Sequence, residues 1–187
     1  EISYLYQMFS LLRIFQSGNI GYCDIFFDYN YKMFEIINNN VQFVSHSYGK
    51  NIFDDRKYFL FTPTVIECNQ FLSNYMGTPF NLLKPSINKF TRGLEQYDAV
   101  TGPEKYITVL EMTLLEKDAQ YKKKMLANRV AVLIGTTTSE IIQIYTNMLK
   151  YYSYRSESLH EGIRTNISKE ELYNLEQYVR DVLKKCL

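Results

Sequence analysis

Apolar residues recur along most of this chain at three- and four-residue intervals, the spacing that lines one face of a helix. Ile2, Leu5, Met8, Phe9, Leu12 and Phe15 make the first such stripe, which stops at Ser17-Gly18. A second helix is predicted from Thr62 to about Met76. Pro63 suits a first helical turn, and Thr64 with Glu67 has the spacing of a capping box. Gly77-Thr78-Pro79 breaks that pattern, and another helix is expected over residues 86–98. Thr101-Gly102-Pro103-Glu104 signals the next start, with Ile107, Leu110 and Leu114 as its stripe and a break near Lys117-Asp118. Leu126, Val130, Leu133 and Ile134 carry the periodicity on to Gly135. "TTTSE" at 136–140 offers a cap for a helix bearing Ile141, Tyr145, Met148 and Tyr152. Ser168-Lys169-Glu170-Glu171 then reads as a capping box ahead of a last stripe of Leu172, Leu175, Val179, Val182 and Cys186.

Residues 19–61 have a different character. "NIGYCDIFFDYNYKMFEII" and "VQFVSHSYG" are rich in Ile, Phe, Tyr and Val with Asn and Gly punctuation, a composition that suits short strands, with turns at 38–40 and 48–51. The expected fold is therefore mainly α: a helical bundle over residues 62–187, preceded by an N-terminal region, 1–61, of one helix and room for a little β-structure. The opening at Glu1, without a methionine and already inside an apolar pattern, reads as the interior of a longer polypeptide or a trimmed one.

Composition narrows the function classes. The 187 residues carry 21 Lys and Arg against 20 Asp and Glu, which argues against a chain wrapped in nucleic acid by bulk charge; any anion site must be built from a few placed residues. Cys23, Cys68 and Cys186 are far apart and without metal-ligand or redox spacing, so neither a zinc site nor a disulfide framework is expected. No cofactor, metal or membrane span is expected, and a reducing cytoplasm is the default compartment. Phosphate-loop, GxSxG and HExxH patterns are missing from the sequence.

Few residues remain that carry chemistry. His46 sits in a predicted loop or strand edge and reads as incidental. Lys122-Lys123-Lys124 is a solvated helix face or a weak RNA contact; neighbours about 100° apart on a helix cannot all face the core. The other candidate is "YYSYRSESLHEG", residues 151–162, with Arg155 and His160 five positions apart. Five helical steps rotate by roughly 140°, so the two do not share a face. Tyr152, Ser156 and His160 do share one, and arginine is long enough to swing back towards it. A histidine near a helix C-terminus can also simply favour the helix dipole.

The stretch "YSYRSESLHEGI", the capped helix "LYNLEQYVRDVLKKCL" after it and "YITVLEMTLLEKDAQYKKKMLANRVAVLIG" before it resemble the end of HEPN domains, specifically the Apea-like group. The resemblance covers about residues 100–187. Ser156 follows the arginine here, and Glu161 separates the histidine from Gly162. The resemblance implies a HEPN-like bundle working as a dimer, a metal-independent endoribonuclease of a bacterial defence or toxin-type system. In it Arg155 and His160 would be catalytic, and Ser156, Glu157 and Tyr152 supporting. RNA would be the partner, together with an antitoxin or a sensor domain of a parent protein, and the alternative is a silent dimerisation module. Histidine suits proton transfer near neutral pH, and arginine gives a permanent, bidentate hold on phosphate oxygens. Tyr151, Tyr152 and Tyr154 can stack on bases, with Lys122, Lys123, Lys124 and Tyr154 as weaker RNA contacts, or pack in the core or dimer seam. Glu111, in the "LE" helix, is either a neighbour of the site or a polar residue at the core's edge.

Overall fold

The computed structural model describes residues 2–18, 20, 58, 61–95, 102–161 and 167–187. Among the described residues the chain is mainly α, with seven helices and no strand: α1 Ile2–Phe15, α2 Thr62–Tyr75, α3 Thr78–Glu95, α4 Gly102–Leu114, α5 Lys122–Ile134, α6 Thr138–Glu161 and α7 Lys169–Cys186. The short strands expected within 19–61, the two turns there and His46 lie outside the described residues.

One apolar core joins the helices. Ile107, Val109 and Leu110 of α4, Leu126 and Val130 of α5, Met148 of α6, and Leu172, Leu175, Val179, Val182 and Leu183 of α7 are buried together. Each large side chain so removed from water contributes about 1.5–3 kcal/mol before its entropy cost. Helix α4 is central: it packs against α3, α5, α6 and α7. Leu11 and Ile14 of α1 enter the same core, so the packed unit includes residues before Thr62. Of the expected stripe Leu12 is buried, but the buried face of α1 runs over Ser10, Leu11, Arg13 and Ile14 as well, because this helix is apolar on several sides and α2, α3 and α7 select one.

The caps explain where several helices begin. Ser168 accepts from the Glu171 amide while the Glu171 side chain accepts from the Ser168 amide, the reciprocal box expected there. At α6 the Thr137 hydroxyl accepts from the Glu140 amide, and the Glu140 carboxylate takes both the amide and hydroxyl of Thr136, which holds that carboxyl below its ordinary pKa range. The box expected at Thr64–Glu67 does not form; α2 starts after Phe61 with Pro63 in its first turn and no side-chain cap. Helix α3 starts eight residues before the expected position and ends at Glu95. Met76, in an extended conformation, and Gly77, at φ +85°, turn the chain there. Pro85 sits inside α3 on its exposed side, where water can solvate the carbonyl that lacks an N–H partner.

Candidate functional site

Helix α6 runs through to Glu161, so Arg155 and His160 are carried on one continuous helix. Five residues advance about 7.5 Å along the axis and rotate roughly 140°. The three-residue connection from Gly135 to Thr137 folds α6 back along α5, and α4 packs on α6 as well. This places Glu111, near the C-terminal end of α4, opposite the Arg155 turn.

The three side chains meet. Arg155 Nη1 donates to Glu111 Oε1 at 2.9 Å and to the Tyr152 hydroxyl at 3.3 Å. Tyr152 in turn donates to the same Glu111 oxygen at 2.9 Å. The guanidinium carbon also lies 5.5 Å from the centre of the Tyr152 ring, within range of a cation–π attraction. Arg155 therefore does reach back to the face that carries Tyr152. Burial, reinforced by the hydrogen bond to Glu111 and its charge, raises the Tyr152 pKa, with Arg155 opposing. The phenol stays protonated and acts as a donor. Arg155 Nε is buried without a hydrogen-bond partner, and among the described residues only Nη1 of this guanidinium is engaged.

Glu111 also lines an open groove of about 400 Å³, together with Met112, Leu115, Glu116, Lys117 and Lys122. Leu115 and Met112 supply its apolar part. Lys122 thus faces the groove, whereas Lys123 turns to α6 and donates to the Ser153 hydroxyl at 2.6 Å. Lys124 is exposed. The three lysines occupy the first turn of α5, where positive charge opposes the helix dipole. Tyr121, just before them, has a left-handed backbone (φ 54°) and a side chain that is 82% exposed.

The tyrosines divide. Tyr151 is buried in the core, and burial pushes its hydroxyl up to about 12, so it is not a base-stacking surface. Tyr154 is half-buried against the core, with the Lys150 ammonium 5.7 Å from its ring centre. Ser156 is half-buried. The side chains of Glu157 and His160 lie outside those described. Glu111 is the member that sequence periodicity does not reveal; its place within "YITVLEMTLLEKD" is the one signal that pointed to it. No group of three or more His, Cys, Asp or Glu that could hold a metal occurs among the described residues, and no described helix is long and apolar enough to cross a membrane.

Comparison of the chain with protein-family models, with curated proteins and with solved structures found no match.

Proposed function

We propose that this chain is a HEPN-like RNA-processing domain that cleaves single-stranded RNA without a metal, as a dimer in which two Arg155–His160 pairs share a cleft. The observation that supports this reading is the Arg155–Glu111–Tyr152 cluster. It orients a permanently charged guanidinium from the motif helix, which among the described residues is engaged only through Nη1, and seats it behind Glu111, a residue that lines an open groove. Such a guanidinium can hold a phosphate oxygen and stabilise the charge that builds on phosphorus. Cleavage by the neighbouring 2′-hydroxyl needs one group to take its proton and another to protonate the departing 5′-oxygen. His160 is suited to either task, and a twofold dimer supplies two copies for the pair of tasks. An antitoxin or a sensor domain of a parent protein, in a cytoplasmic defence or toxin-type system, is the setting that goes with this chemistry.

The test is incubation of purified protein with single-stranded RNA in EDTA, beside His160→Ala. The expected result is cleavage that the substitution slows by about 10²-fold or more. Cleavage at an unchanged rate in the variant, or no cleavage by either protein, overturns the proposal.

One observation favours a second reading, a silent dimerisation or regulatory module: the carboxylate already on Arg155 occupies the charge that a phosphate would need. A dimer with no RNA affinity, unchanged by Arg155→Ala, is the outcome that selects it.

A further inference from the structure

The groove beside Glu111 has a composition that the cleavage chemistry does not require. Its apolar part is Leu115 and the half-exposed Met112; its rim carries Glu111, Glu116, Lys117 and Lys122. Glu111 is committed to Tyr152 and Arg155. The side chains of Glu116, Lys117 and Lys122 are exposed and make no hydrogen bond or ion pair among the described residues. Two cations and one free carboxylate of this kind, around an apolar floor, complement a ligand with a flat apolar body, an anionic group and an edge of N–H donors. A nucleotide has all three.

We infer that this groove is a nucleotide subsite that prefers guanine, with Glu116 reading the base and Lys117 and Lys122 holding phosphate; the inference rests on the RNA-cleaving reading above and specifies its substrate. A carboxylate is an acceptor-only group. On the Watson–Crick edge guanine offers it two parallel donors, the ring N–H and the exocyclic amino group. Uracil has a ring N–H beside carbonyl oxygens that repel a carboxylate, and adenine and cytosine have an amino group beside an acceptor nitrogen. A pairing of two parallel hydrogen bonds therefore selects guanine. Single-stranded RNA presents this edge freely, and the apolar floor of Leu115 and Met112 suits the face of an unstacked base. Through Glu111 the groove adjoins the Arg155 guanidinium, so a guanosine held here lies next to the phosphate to be cut.

Guanosine, adenosine, cytidine and uridine 5′-monophosphates are titrated in turn against the ¹⁵N-labelled full chain, with Glu116→Gln and Lys122→Ala alongside. Both substitutions are at exposed positions, and the unperturbed spectrum of each variant verifies its fold. The expected result is chemical-shift change centred on residues 115–117 and 122, with guanosine monophosphate bound roughly tenfold more tightly than the others. Glu116→Gln abolishes that preference, and Lys122→Ala weakens all four ligands alike. Equal affinities, shifts centred elsewhere or a preference that survives Glu116→Gln overturns the inference. Failure of the two readings is separable. RNA cleavage in EDTA with no preference for guanosine beside the cut, and a silent groove, rejects the subsite and keeps the ribonuclease. Selective binding of guanosine monophosphate by a chain that cuts no RNA keeps the subsite and rejects the ribonuclease.

Discussion

Two guanidinium–carboxylate pairs in this bundle use the same chemistry in different surroundings. Arg180 and Glu176 on α7 are 2% and 0% exposed, with Nη2 to Oε1 at 2.7 Å. Arg180 Nε also donates to the Arg13 carbonyl and Nη1 to Gln177, and the guanidinium carbon lies 5.5 Å from the centre of the Phe90 ring. Arg13 continues the network through Nη1 to Glu95 and Nε to the Ile20 carbonyl. Every nitrogen of Arg180 has a partner, and the result ties α1 to α7. Arg155 and Glu111 are 20% and 16% exposed; among the described residues one Arg155 nitrogen serves Glu111 and Tyr152, and Nε is buried without a partner. A sealed, satisfied pair is built to hold helices together. The Arg155 pair keeps some contact with water, and its carboxylate lines a groove, so less of the bundle's packing depends on it.

The sharpest way to break this contrast is to neutralise each carboxylate. Glu176→Gln leaves the Arg180 charge buried without its counter-ion, a change that costs about 3–5 kcal/mol. For a chain of this size that lowers Tm by roughly 10 °C. Glu111→Gln, at a pair that water still reaches, is expected to cost about 1 kcal/mol. Thermal unfolding of both variants measures the difference. Equal losses would mean that the Arg155 pair is as structural as the buried one.

Activity should rank the two arginines in a different way. On the proposed ribonuclease reading, Arg155→Ala is expected to lower RNA cleavage by about 10²–10³-fold, the loss typical when one donor to a developing oxyanion is removed. Its Tm should stay within a few degrees of the parent. Cleavage that falls only in proportion to the folded fraction would return Arg155 to a purely structural role.

The contrast also explains what could be read from the sequence. Local rules worked where the determinants are local: Ser168 and Glu171 announce their capping box across three residues, and the "TTTSE" run supplies the Thr137 hydroxyl that caps α6. The stripes of α4 to α7 identified much of the core, although Cys186 is exposed while Leu183 is buried and Leu187 packs partly against the core. Position-by-position polarity failed at Arg180 and Glu176, whose charges suggest a solvated face. Yet Leu172, Glu176, Val179, Arg180 and Leu183 follow helical face spacing, so the period placed them inside where their chemistry did not. The Glu111–Arg155 contact joins residues 44 positions apart, and no local period reports a pairing that depends on how α4 crosses α6.

A third pair, on the surface between α6 and α7, calibrates the exposed end of the scale. The Lys150 ammonium pairs with the Glu171 carboxylate, which also caps α7 through the Ser168 amide. Ser168→Ala removes the other half of that cap and is expected to cost about 1 kcal/mol, read as a lowered midpoint in urea. A loss as large as that of Glu176→Gln would remove burial as the variable that orders these sites.

The smallest effect expected is the acid response of the same carboxylate. The hydrogen bond from Lys150, aided by Ser168 and opposed by partial burial, holds the Glu171 carboxyl below its ordinary pKa. A carboxyl depressed in the folded state binds a proton less readily than in the unfolded chain. Its contribution to stability is thus fully present above the unfolded value, about 4.3 for glutamate, and is lost as pH falls through the lower folded value. The Tm difference between the parent and Glu171→Gln should be constant from pH 7 to about 5 and close progressively in more acid solution. Salt should narrow it as well, because an exposed pair is screened. A gap that is unchanged down to pH 2 would assign the stabilisation to the hydrogen-bonded shape of the cap, with no share from its charge.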